Sequence, residues 1–151
     1  MRQRAISAGT EVSQFRTLIV EDHEAFLQFV DSTLRQLQDV CIVDKARTRL
    51  DAVKLAEALQ PDLILLDIGL PGLNGIDAAY RIRKLAPDAR IIFVTQEGSA
   101  EIVREAFSLG AWGYVIKSLS AQDLPAAVDA VLRGKTFVSN GLDGHAQLSE
   151  T

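Results

Sequence analysis

The chain has 151 residues, 48% of them apolar and 24% charged, which is enough for one domain with a real core and excludes wholesale disorder. Its 16 basic and 20 acidic side chains leave a net charge of −4, so charge alone recruits neither a long nucleic acid nor an anionic membrane. No apolar run approaches the ~20 residues that span a bilayer, residues 1–9 lack the apolar centre of a secretory signal, and the single Cys41 cannot form an internal disulfide. The expected setting is cytoplasmic, without a membrane partner.

In chain order, residues 1–14 show no periodicity and read as a loose tail. Five short apolar runs follow: Thr17–Val20, Cys41–Val43, Leu63–Leu66, Ile91–Val94 and Tyr114–Ile116. Each is too short for a helix and mostly β-branched, without polar alternation, which is the pattern of a parallel strand buried on both faces. Cys41, inside the second run, therefore reads as an inert core side chain.

Between the runs the period lengthens to that of helices. Phe26, Val30, Leu34 and Leu37 share a face; so do Ala52, Leu55, Ala56 and Leu59, ending before Pro61. Ala78, Ala79, Ile82 and Leu85 mark the third helix, Val103, Ala106 and Phe107 the fourth, and Leu124, Ala127, Val128, Val131 and Leu132 the fifth, closed by Gly134. Repeated βα units with short connections imply an α/β fold: a doubly wound, three-layer (βα)5 sandwich around a five-stranded parallel sheet with right-handed crossovers. The predicted domain runs over 15–134. Residues 135–151, polar and glycine-bearing, read as a linker or the start of a further domain.

In an open parallel sheet, ligands bind beyond the carboxyl ends of the strands. The residues that follow the apolar runs are Glu21 and Asp22, then Asp67, Thr95 and Lys117. Three carboxylates in one crevice repel by kilocalories, about 4 kcal/mol for a pair 4 Å apart at an effective dielectric of 20, unless a cation joins them. An all-oxygen set of this kind suits Mg²⁺ in the service of a phosphoryl group. Thr95 offers a hydroxyl donor and Lys117 an ammonium, which completes an aspartyl-phosphate site. Taken singly, each residue has a plainer role, as cap, strand end or surface charge; five at the ends of four strands do not. His23, beside the acidic pair, reads as a helix-start residue and not as a base.

The stretches Leu18–His23 and Leu65–Gly75, Thr95, and Gly110–Lys117 together resemble the response-regulator receiver domain of two-component signalling, over roughly residues 14–134. The resemblance implies the flavodoxin-like strand order 2-1-3-4-5, with Asp67 as phospho-acceptor. Glu21, Asp22 and Asp67 would hold Mg²⁺ with the backbone carbonyl of Gly69; Thr95 and Lys117 would bind phosphoryl oxygens; and Tyr114 would be the aromatic switch partner of Thr95. The donor would be a sensor histidine kinase. The output would be dimerisation through the fourth helix, fifth strand and fifth helix, or release of an effector domain.

Asn74–Ile76 and Lys117–Leu119 resemble the NarL/FixJ (LuxR-type) branch, whose members usually carry a C-terminal helix-turn-helix. These 151 residues would then be the regulatory part of a transcription regulator. They would not bind DNA themselves, since residues 134–151 contain one lysine and no arginine, whereas the longer protein would. A stand-alone receiver acting by protein contact is the alternative. A small Mg²⁺-dependent aspartyl phosphatase would carry a second acid two residues beyond the nucleophile, where this chain has Gly69. Two departures stand out. Gln96 occupies a position usually held by a small residue and could shield Asp67, and Ser118 replaces a proline that is often cis, so a trans Lys117–Ser118 bond is expected.

Overall fold

Each apolar run of the sequence becomes a strand, and each amphipathic stretch folds back across it as a helix. The computed structural model describes residues 14–68, 75–96 and 100–139. The elements are β1 (Phe15–Val20), α1 (Glu24–Arg35), β2 (Val40–Ala46), α2 (Arg49–Leu59), β3 (Leu63–Asp67), α3 (Gly75–Leu85), β4 (Arg90–Thr95), α4 (Ala100–Ser108), β5 (Gly113–Ile116), α5 (Ser120–Leu132) and β6 (Phe137–Val138). The sheet order is β2-β1-β3-β4-β5-β6, and every neighbouring pair is parallel.

The strands alternate between two cores. Leu18, Val20, Ile64, Leu66, Ile91, Phe93 and Tyr114 face Ala52 and Ala56 of α2, Ala79 and Ile82 of α3, and Val103 and Ala106 of α4. Ile19, Leu63, Leu65, Ile92, Val94 and Val115 face Leu27, Val30 and Leu34 of α1 and Leu124, Ala127, Val128 and Val131 of α5. The side-chain period of 2 in a strand makes this division, and helices on both faces hide each set from water. Alanines predominate on the buried faces of α2 and α3, which lets those helices lie close to the sheet. In α1 the buried face centres on Leu27, Val30 and Leu34, with Phe26 only half-buried.

Two expectations need correction. Cys41 is exposed, not a core residue. It lies on β2, the edge strand, where only Val40 and Ala46 are buried and where the pairing with β1 slips register between Thr17 and Leu18. A strand with one neighbour is covered on fewer sides than the run of apolar residues suggested. The sheet also has six strands, because the chain beyond Gly134 does not leave the domain at once. Gly134 adopts φ +82° after α5, and the chain then runs beside β5. Phe137 N–H donates to the Trp112 carbonyl (3.0 Å) and Ser139 N–H to the Tyr114 carbonyl (2.9 Å). Two apolar residues among polar ones carry no periodic signal, so only the unpaired edge of β5 reveals the strand.

Ser139 locks this addition. Its hydroxyl is fully buried, donates to Asp123 Oδ2 (2.7 Å) and accepts from the Ile116 backbone N–H (3.0 Å), joining α5, β5 and the returning chain. Replacing Ser139 by Ala leaves the buried Asp123 carboxylate and the part-buried Ile116 amide each short of a partner. The expected loss is about 1–3 kcal/mol of folding stability, read as a lower urea midpoint at unchanged slope; an unchanged midpoint would show that the link carries no net stability.

Candidate functional site

Parallel pairing aligns the strand ends. Val20 pairs with Leu66, Asp67 with Val94, and Thr95 with Ile116, so the residues at and just after those positions share one edge of the sheet. Glu21 and Asp22 leave β1, Asp67 ends β3, Thr95 ends β4 and Lys117 follows β5 in a short 3-10 turn (Lys117–Leu119). The structure thus places all five predicted side chains on the same edge. Gly69 and Asn74 lie outside the described residues.

Glu21, Asp22 and Asp67 each present a carboxylate oxygen within 4.8 Å of the others; Glu21 and Asp67 are buried and Asp22 is exposed. Lys117 closes the cluster. Its Nζ donates to Asp67 Oδ2 at 3.1 Å and to Glu21 Oε2 at 3.2 Å, and it stands 4.7 Å from the centre of the Phe26 ring. Burial on its own would lower the Lys117 ammonium, yet Asp67 and Glu21 outweigh it and hold the group above its ordinary range. Cation–π contact with Phe26 adds to the hold on the ammonium from its apolar side. Sequence periodicity assigned Phe26 only to the core, and the contact with Lys117 follows from the position of the turn after β5, which brings the lysine over the Phe26 ring of α1.

Glu21 carries the strain of the arrangement. Burial, then the neighbouring Asp67 charge, push its carboxyl up to about 7, against the opposing pull of the His23 backbone N–H and Lys117. That N–H donates to Glu21 Oε2 at 3.1 Å. His23 itself occupies the N-cap position of α1 in extended conformation, without a side-chain cap bond, in keeping with a helix-start role. All described peptide bonds are trans, Lys117–Ser118 included.

An open groove of about 580 Å³ flanks the cluster, lined by His23, Ala25, Phe26, Phe29, Gln96, Lys117 and Ser118. Gln96 is exposed at its rim. Tyr114 lies fully buried on β5, its ring tilted 55° to Phe93 at 6.1 Å between centroids. Among the described residues its hydroxyl has no hydrogen-bond partner, and burial pushes it up to about 12. Arg49, the first residue of α2, is a site residue that the sequence pattern did not single out. It is buried, and the charges of Asp22, Asp67 and Asp77 act on it. The available signal was a basic residue three positions after β2, directly past the strand end that borders Glu21.

The residues fit a small, hard divalent cation. Three oxygen donors converge, one of them open to solvent, and one buried acid is raised by burial and then by the neighbouring Asp67 charge. The raised Glu21 carboxyl gives a pH dependence. Glu21 has a folded-state value of about 7 against 4.5 unfolded, so between those pH values the unfolded chain holds fewer protons and stability falls as pH rises. Urea titrations without divalent cation are expected to show that decline, and Glu21→Gln to flatten it. A slope identical in wild type and variant would assign the decline to another group.

The family model described as response regulator receiver domain matches residues 17–129. The nitrate/nitrite response regulator protein NarL of Escherichia coli K12 is 31% identical over 125 residues, covering 83% of this chain and 58% of that protein. The transcriptional regulatory protein MctR of Rhizobium johnstonii is 27% identical over 133 residues, covering 88% of this chain and 62% of that protein. This chain therefore spans about three-fifths of the length of these curated relatives. A crystal structure of a LuxR-family two-component response regulator from Aurantimonas sp. SI85-9A1 superposes with a TM-score of 0.82 at 30% identity, over 91% of this chain and 97% of that one. With a strand order, an acidic edge and a lysine that agree with this match, the chain belongs to the response-regulator receiver domains, in their NarL/FixJ (LuxR-type) branch, and is a phosphoryl-accepting signalling domain.

Proposed function

We propose that Asp67 is the phospho-acceptor and that Glu21, Asp22 and Asp67 hold Mg²⁺, with the backbone carbonyl of Gly69 as a further ligand. The observation that carries this reading is Lys117, whose ammonium bridges Asp67 and Glu21 at the sheet edge. An ammonium 3.1 Å from the Asp67 carboxylate oxygen sits where it can also meet an oxygen of a phosphoryl group attached there.

Asp67 attacks the phosphorus of the kinase phosphohistidine: an O–P bond forms, the P–N bond breaks, and the leaving imidazole takes a proton from solvent. Burial of Asp67 and Glu21 keeps the surroundings low in dielectric, which strengthens the contribution of Lys117 to the developing charge. Bound Mg²⁺ would offset the charge of the three carboxylates and the incoming group. Thr95 then donates its hydroxyl to a phosphoryl oxygen. Tyr114, two residues before Ile116, the strand partner of Thr95, is the switch residue: its ring already lies in the core, so movement of Thr95 changes the packing around Phe93 and β5.

The altered surface in this reading is that of α4, β5 and α5. Ile102 of α4, 37% exposed, supports a dimer through the helices, whereas β6 covers the outer edge of β5 and leaves no strand pairing there. No described helix is long and apolar enough to cross a membrane. With a net charge of −4, these residues do not read DNA; in the longer regulator we infer, a further C-terminal domain does, in line with relatives named as transcriptional regulators.

Acetyl phosphate with Mg²⁺ is expected to add one acid-stable, base-labile phosphoryl group. Asp67→Asn and excess EDTA should each abolish it, as read by intact mass. Labelling that persists in Asp67→Asn would place the acceptor elsewhere.

A further inference from the structure

Arg49 is 5% exposed. An arginine is rarely so buried unless charges of opposite sign surround it. It also opens α2, where Thr48 caps the helix by accepting from the Asp51 N–H at 3.1 Å. The N-terminus of a helix is the positive end of its dipole and disfavours a cation. Two unfavourable terms therefore fall on one guanidinium, and the compensation comes from Asp22 and Asp67 of the carboxylate cluster together with Asp77 of α3. The Ala46 carbonyl at the end of β2 accepts from the Glu21 N–H at 2.9 Å, which sets the start of α2 against the loop leaving β1. Burial lowers the guanidinium, and the charges of Asp22, Asp67 and Asp77 oppose that, Asp22 most strongly.

In strand order, β1 and β3 bear the carboxylates, Lys117 follows β5 on one side, and Arg49 follows β2 on the other. Lys117 bonds Glu21 and Asp67. We propose that Arg49 is a second resident cation of this pocket, set on the opposite side from Lys117, and that it competes with a divalent cation for the charge of Asp22 and Asp67. The proposal rests on the Mg²⁺ site above and adds a determinant of its affinity. Three carboxylates faced by Lys117 alone are short of positive charge; Arg49, which they share with Asp77, offsets part of that shortfall. The pocket is thereby held together without metal, and metal binds more weakly.

Calorimetric titration of the full chain with MgCl₂ tests this. Arg49→Gln is expected to bind Mg²⁺ about tenfold more tightly than wild type, and Arg49→Lys to stay within about twofold. In wild type, which needs no variant to fold, the Arg49 Nε–H resonance should shift as Mg²⁺ saturates, while that of exposed Arg35 stays in place. Equal affinity of wild type and Arg49→Gln, or an unmoved Arg49 signal at saturation, would overturn the competition and leave the metal site standing. Absence of Mg²⁺ binding in both proteins would overturn the metal site and the competition together.

Discussion

Everything at the working edge of this domain answers to one electrostatic constraint: three carboxylate oxygens lie within 4.8 Å of one another, two of the acids being buried. Such a cluster is stable only beside positive charge. Lys117 supplies it through two charge-assisted hydrogen bonds, and it can do so because β5 ends level with β4 and one further residue reaches back to β3 and β1. The compensation does not cancel the cost of burial, which together with the Asp67 charge keeps the Glu21 carboxyl raised to about 7. A site left short of positive charge is ready to take up a cation and to respond when a phosphoryl group brings further negative charge.

The fold serves this constraint through register. A parallel sheet with helices on both faces needs short loops at each strand end, and those loops deliver side chains from distant parts of the sequence to one line. The two cores on either side, one built on α2, α3 and α4 and the other on α1 and α5, keep that line rigid. Phe26 shows how the core and the site share residues: it packs against the α1–α5 core while its ring faces the Lys117 ammonium. The fully buried Tyr114, whose hydroxyl lacks a partner among the described residues, is the least satisfied element of the other core and lies on the same strand as the lysine.

The segment after α5 extends that strand outward. β6 pairs with β5, and the Ser139 hydroxyl ties Asp123 of α5 to the Ile116 backbone, one residue before Lys117. The chain after α5 is therefore anchored next to the site through the Ser139 hydroxyl. Buried polar links of this kind are costly to break on one side only, so they favour a single arrangement of the joined elements.

The amino-acid sequence by itself determined the five βα units, their parallel character and the acidic, hydroxyl and ammonium groups at the strand ends, because all of these rest on local periodicity and on the rule that parallel strands expose their carboxyl ends. It could not reveal that Cys41 is exposed, since an edge strand and a central one read alike until their neighbours are known. It missed β6 for a related reason: two apolar residues form a strand only because the edge of β5 offers unpaired carbonyls. It passed over Arg49 and placed Phe26 in the core alone, because a buried guanidinium under the charge of Asp22 and an aromatic ring under Lys117 join residues far apart in the chain. Tertiary structure decided those contacts, for the physical reason that charge compensation and edge pairing depend on distance in space, which local patterns along a chain do not encode.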